Sequence, residues 1–313
     1  MSADPLLAAA EATIAKGSKS FALASRLFAP AERERAVLLY AWCRHADDVI
    51  DGQVLGQGQV DHGGTSAERL AELEARTRAA LEPGACPDDV PFAALARVAA
   101  TTHMPKRYPL DLIHGFRIDV EERPFATFDD TLAYCYHVAG CVGVMMAIAM
   151  GVAPDDRATL DRASDLGIAF QLNNIARDVI EDAANRRRYI PDDWLANVGL
   201  EPRSFAFPPN RRQLARLVAR LVNAAEEYGA SAQFGTSALP WRAAWAVLAA
   251  DDIYGGIGRR VRDLGAAGLD ARVHTSTAAK LGAITRTLPL ALSRSRRWPP
   301  PGPSRDGLWS FPH

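Results

Sequence analysis

Two stretches of this chain concentrate carboxylates where a helix should be entering a core. In "AVLLYAWCRHADDVID", Asp47 and Asp51 stand four apart with Asp48 between them, and in "FQLNNIARDVIEDAANRRRYIP", Asp178 and Asp182 repeat that spacing around Glu181. Carboxylates three or four residues apart on a helix share a face and repel, by roughly 0.2–0.5 kcal/mol per exposed pair. One such run by itself reads as a solvated helix end. Two similarly built runs, far apart in sequence and each beside apolar residues, read instead as facing helices that jointly hold cations. Hard cations such as Mg²⁺ take oxygen ligands and bridge carboxylates to a substrate's phosphates. Helical bundles build such sites from inward-facing carboxylates on opposed helices.

The neighbouring residues extend the pattern. Asn174 lies one turn before Asp178, and Gln171 seven before it, so their amides project to the same side. An amide oxygen there can complete a metal shell or meet a phosphate; the alternative is a buried amide satisfied by backbone. Tyr40 and Arg44 precede Asp47 by seven and three residues. Arg44 either steadies a diphosphate through paired hydrogen bonds or neutralises Asp47 or Asp48, and both readings stand. The second cluster also has an arginine upstream, Arg177. Basic residues also gather in Ser18–Lys19–Ser20 and in Arg186 to Arg188, some of these arginines facing solvent. Gly140, Gly143 and Ala147 mark a smooth helix side, which admits either a close helix neighbour or a long slender ligand. An apolar cavity with a polar, metal-loaded mouth suits a lipid diphosphate.

The elements that must position these groups are helical throughout. Alanine, leucine and arginine dominate, β-branched runs are short, and no Gly-rich strand–turn–helix unit occurs. Helices are expected near 5–15, 30–51, 66–82, 90–103, 108–121, 128–151, 154–185, 209–233, 239–265 and 275–294. Residues 51–66 read as a flexible glycine-rich loop, and the proline-rich segment from about 298 as an irregular or mobile tail. The fold class is therefore all-α, in one domain over 1–313. A net charge of −1 offers no global attraction for nucleic acid. The four cysteines, Cys43, Cys86, Cys135 and Cys141, have no metal-ligand spacing and suit a reducing cytoplasm. Residues 131–154 carry no Asp, Glu, Lys or Arg and reach the length of a membrane span. Tyr134, Tyr136 and His137 in their first half, and the lack of a flanking basic cluster, favour a buried core helix. No secretion signal is expected at the N-terminus.

"GSKSF", "LYAWCRHADDVID", "YCYHVAGCVG" and "FQLNNIARDVIED…RRRYIP" together resemble the successive signatures of the squalene and phytoene synthases, in order and spacing from about residue 16 to 275. Among these, the bacterial phytoene synthases are the most similar. The resemblance implies an isoprenoid-synthase-type helical bundle around a central cavity. It also implies Mg²⁺-dependent head-to-head joining of two allylic prenyl diphosphates, with Mn²⁺ as a substitute metal. For geranylgeranyl diphosphate the product is phytoene, in carotenoid biosynthesis. By motif, Asp47, Asp51, Asn174, Asp178 and Asp182 match the metal positions. Ser18, Lys19, Ser20, Arg44, Gln171, Arg177 and Arg272 match diphosphate-binding positions, and Tyr40, Arg44, Tyr134 and Tyr254 line the reaction centre. Where many relatives have histidine before "SKSF", this chain has Gly17. No C-terminal membrane anchor is expected, which favours a cytoplasmic enzyme with peripheral membrane contact and association with carotenoid-pathway enzymes.

The implied chemistry is ionisation of one diphosphate, attack by the second substrate to give a cyclopropyl (prephytoene) diphosphate, then renewed ionisation, rearrangement and proton loss. No nicotinamide fingerprint is present, so no NADPH is expected. The base is left open between the departing diphosphate and a tyrosine. The nearest alternative is the same chemistry on farnesyl diphosphate, giving dehydrosqualene or squalene. A non-catalytic relative acting as an assembly factor would be expected to have lost one or more of the aspartates, and both clusters are intact.

Overall fold

A computed structural model describes residues 4–17, 19–52 and 63–311. Among them the secondary structure is helical, without strands. The N-terminal helices α1 (Pro5–Gly17) and α2 (Lys19–Ser25) lead into α3 (Pro30–Asp51). Pro30 opens α3, where its missing N–H costs nothing, and Gly52 closes it in the left-handed conformation at φ 66°. Thr65 and Glu68 form a capping box that starts α4 (Ser66–Ala80). Then follow α5 (Val90–Thr102) and α6 (Arg107–Val120). The bulk of the glycine-rich loop, 53–62, lies outside the described residues.

The uncharged segment expected as one helix over 128–151 is three pieces. Thr127 and Asp130 cap α7 (Phe128–Cys135), a π-helical turn spans Tyr136–Gly140, and α8 (Cys141–Ala149) resumes the α-helix. Taken as one run, Phe128–Ala149 is long and apolar enough to cross a membrane, but 67% of it is buried inside the fold. Its principal neighbour is the central helix α9 (Arg157–Ala184), which starts at Asp156, whose side chain accepts from the Thr159 N–H. At Gly143 an added Cβ would lie 2.3 Å from the Ala163 carbonyl oxygen, and at Gly167 one would lie 2.1 Å from that of Ala139. Close helix approach is thus one use of the small-residue side, although Gly143 and Ala147 also line the cavity described below.

The remaining helices are α10 (Asp192–Asn197), α11 (Arg211–Gly235), α12 (Trp241–Leu264) and α13 (Thr277–Arg297). One apolar core runs from Ala10 to Val273. The short helices α2 and α10 were not expected from the sequence: neither is long enough to show a 3.6-residue repeat. The tail is irregular, as expected, but it is not loose. Trp298 is buried, the Phe311 ring stacks on Tyr136 at 4.5 Å, and the Trp309 N–H donates to the Tyr228 hydroxyl at 2.9 Å. Of the cysteines, Cys135 and Cys141 are buried free thiols, Cys43 is half-buried, and Cys86 is exposed.

Candidate active site

A cavity of about 630 Å³ runs between the helices. Along α9 its lining residues recur every three to four positions, from Thr159 and Arg162 through Leu166, Phe170 and Asn174 to Asp178 and Asp182. The other walls run the same way: Asp47 and Asp51 stand at the end of α3, Tyr134 begins the opposite wall, and Met150 ends it. The carboxylates thus share one mouth. Arg162 and Asp178, sixteen residues apart on one helix, are separated by about 24 Å at a rise of about 1.5 Å per residue. Between the two ends the walls are mostly apolar.

At the mouth, carboxylates and arginines interlock. Arg44 donates to Asp47 at 2.6 Å and lies 3.7 Å from the buried Asp48. Arg187 reaches from the loop after α9 to Asp51 at 2.7 Å, across from its own helix. Asp178 accepts from Arg177, one bond being 2.7 Å, and pairs with Arg272 at 3.0 Å. Burial, helped by Asp51 and Asp48 and opposed by Arg44, pushes Asp47 up to about 6. Asp182 goes to about 7, through burial and the neighbouring Asp178, against the pull of Arg187. Folding therefore holds these two carboxylates where their charged form is disfavoured.

The sequence-derived residues mostly converge. Tyr40, Arg44, Asp47, Asp51, Tyr134, Gln171, Asn174, Arg177, Asp178, Asp182 and Tyr254 all line the cavity. Asp48, between Asp47 and Asp51 in the sequence, does not line it. Arg272, half exposed at the rim, reaches the site only through Asp178 and, at 3.5 Å, Glu181. Ser18 lies outside the described residues, as do the side chains of Lys19 and Ser20, whose backbone opens α2. Of the three adjacent arginines Arg187 alone lines the cavity; Arg188 turns to Asp192 at 2.8 Å and Arg186 is exposed. Gly17 also lines it, and a Cβ there would lie 2.9 Å from the Tyr40 hydroxyl. The glycine that replaces the family's histidine thus leaves room for Tyr40.

Three groups were missed. Asp119 lines the mouth and accepts from the hydroxyls of Tyr134 at 2.9 Å and Tyr189 at 3.1 Å, whose rings stack at 4.7 Å. Burial raises its carboxyl above the usual range. Its register could have been read: Leu112, Phe116 and Asp119 fall on one face of α6. Tyr189 sits inside the quoted "RRRYIP". Phe170, stacked on Tyr254 at 4.5 Å, carried no signal beyond its helical register.

Such a site can hold a polyanion at its mouth and an apolar chain behind it. The squalene/phytoene synthase family model matches residues 14–279. The phytoene synthase of Pseudescherichia vulneris is 46% identical over 313 residues, covering 100% of both chains. The 15-cis-phytoene synthase of Paracoccus sp. (strain N81106 / MBIC 01143) is 49% identical over 310 residues, or 99% of each. Among solved structures, a dehydrosqualene synthase in complex with ligand superposes with a TM-score of 0.81 at 28% identity, covering 92% of this chain and 97% of that one. A squalene synthase from Alicyclobacillus acidocaldarius, at 22% identity and TM-score 0.73, shares the fold over 83% of this chain and 94% of its own. The chain belongs to the squalene/phytoene synthase family. It is a prenyltransferase acting on prenyl diphosphates.

Proposed function

We propose that this prenyltransferase makes 15-cis-phytoene from two geranylgeranyl diphosphates, through the cyclopropyl intermediate. The observation that carries the reading is one continuous cavity, with five aspartates and three arginines at its mouth and mostly apolar walls for about 24 Å behind them. Identity of 46–49% to phytoene synthases over nearly the whole chain favours the C20 substrate over farnesyl diphosphate.

The donor set fits a hard cation. Among the described residues no three acidic, histidine or cysteine groups converge closely enough to hold a metal alone. The mouth instead offers separated carboxylates with raised affinity for positive charge, a fit to ions shared with a diphosphate. Asp47, Asp51, Asn174, Asp178 and Asp182 would hold Mg²⁺ or Mn²⁺. When bound, the metal supplies Lewis-acid neutralisation of the leaving diphosphate.

The protein's own groups do the rest. The guanidinium forks of Arg44, Arg177 and Arg187 match phosphate oxygens and already stand among the carboxylates. Tyr40, Tyr134 and Tyr254 present aromatic rings to a carbocation formed next to the mouth. Asp119 holds the Tyr134 hydroxyl, which keeps that ring in place. The apolar walls exclude the water that would quench the cation.

The purified chain is to be given geranylgeranyl or farnesyl diphosphate with Mg²⁺ and no NADPH, and the hydrocarbon identified by mass. Phytoene is expected; dehydrosqualene from the shorter substrate alone, or an absolute need for NADPH, overturns the reading. Chelation by EDTA should stop turnover, with Mg²⁺ restoring it, and full activity in excess chelator contradicts the metal assignment.

We also propose peripheral contact with the cytoplasmic membrane face. Helix α13 carries Lys280, Arg286, Arg294, Arg296 and Arg297 and no carboxylate, while Leu281 and Leu292 are 51% and 63% exposed. Basic residues beside outward leucines suit an anionic lipid surface. Co-flotation with phosphatidylglycerol vesicles but not with phosphatidylcholine vesicles is the expected result.

A further inference from the structure

A charged residue lines the far end of the cavity. Arg162 lines it, together with Thr159, Thr236, Leu239 and Met150, yet Arg162 is only 6% exposed. A guanidinium is an unusual wall for a hydrocarbon chain, since taking it out of water is costly unless hydrogen bonds replace the lost solvent. Here they do. One nitrogen donates to the Ser231 hydroxyl on α11, another to the backbone carbonyl of Pro303 in the tail, and the group lies 5.7 Å from the Phe234 ring. Ser231 in turn donates to Asp165, which is fully buried and held by Arg305 of the tail at 2.6 and 2.9 Å.

This network separates Arg162 from an ordinary core side chain. An apolar residue at the same place can change rotamer when a longer ligand presses on it, at small cost. Arg162 cannot yield without breaking buried charge-assisted hydrogen bonds on two sides. Its stem is backed from a third side by Gly235, where an added Cβ would lie 2.8 Å from the Arg162 Cβ. The end wall is therefore rigid, and its rigidity comes from the tail.

We propose that Arg162, pinned by Ser231 and by the tail at Pro303, sets the longest prenyl chain that the cavity admits. The inference rests on the cavity being the prenyl site, as proposed above, and it adds the residue that limits chain length. Removing the guanidinium does not orphan Asp165, because Arg305 still holds that carboxylate with two bonds.

The test compares kcat/KM for farnesyl, geranylgeranyl and geranylfarnesyl diphosphates in the full-length parent, Arg162→Leu and Gly235→Ala. Discrimination of one chain length in an apolar pocket runs from about tenfold to a few hundredfold. Arg162→Leu is expected to shift the kcat/KM ratio by roughly tenfold or more toward the next longer substrate. Gly235→Ala, which adds bulk against the Arg162 stem, is expected to shift it toward the shorter one. Should the leucine variant fail to fold, Arg162→Lys, which keeps the charge but cannot span both partners, moves the ratio in the same direction by less. An unchanged ratio in folded variants overturns the proposal. A parent that prefers farnesyl diphosphate overturns the phytoene reading instead, and the ruler is then judged by the same one-unit shift from that starting point.

Discussion

At its mouth the cavity is walled by Asp47, Asp51, Asp178 and Asp182, whereas its far end is lined by Arg162, with Asp165 and Arg305 behind it. Both ends contain charged residues, but they treat charge in opposite ways. At the far end every group is matched: Asp165 has a bidentate arginine and a serine hydroxyl, and Arg162 has two acceptors. At the mouth, burial first and the neighbouring carboxylates second push Asp47 up to about 6 and Asp182 up to about 7, against the pull of the arginines beside them. Matched charge buried in a network makes a rigid wall. Carboxylates left open to the cavity suit the cation and polyanion site proposed above.

That contrast can be broken by substitution. The largest effect is expected from Asp47→Asn or Asp178→Asn, which should lower turnover by on the order of a thousandfold, Asp47→Asn leaving the urea unfolding midpoint unchanged or higher. Near-normal turnover in either variant would sink the assignment of the mouth. At the other end, Arg305→Ala leaves Asp165 buried beside a lone hydroxyl and should cost about 3–5 kcal/mol of unfolding free energy. A loss under about 1 kcal/mol would show that the tail braces nothing.

A smaller effect sharpens the comparison. Asp182→Asn removes a carboxylate that folding has made reluctant to ionise, so at pH 8 it should raise stability by about 0.5–1 kcal/mol as activity falls. Loss of both would mean that Asp182 is structural. The smallest effect concerns His137, which packs edge-on against Phe311 of the tail and is pushed by burial from its usual 6.5 down to about 4. It is neutral in the fold and takes up a proton on unfolding in that interval. Its contribution to stability is full above pH 6.5 and is lost as the pH falls toward 4. The difference in urea midpoint between the parent and His137→Asn should change across that window and stay flat above it.

The mouth was legible because its signal is local. Paired aspartates at a spacing of four, with an arginine three residues upstream on α3 and an amide one turn earlier on α9, are readable helix by helix, and helical geometry places each set on one side. The α3 boundaries were equally legible, since Pro30 and Gly52 punctuate it directly. Other features gave way to packing. The π turn at Tyr136–Gly140 interrupts an apolar run whose composition alone suggested a single helix. The small residues of that run read equally as a packing face or a ligand channel, and only the approach of α9 showed that Gly143 serves both.

The sequence by itself determined that the chain is all-helical and which helices carry carboxylates, because short-range periodicity and spacing encode those properties, while the resemblance of its motifs pointed to the family. Only the tertiary structure decided that Arg187 crosses to Asp51, that Asp119 holds two tyrosines, and that the proline-rich tail returns to pin Arg162. Each of those contacts joins segments from 15 to 141 residues apart. No local pattern specifies such pairs; they exist because burying one continuous apolar core brings particular helix faces together and leaves each buried polar group to find its partner there.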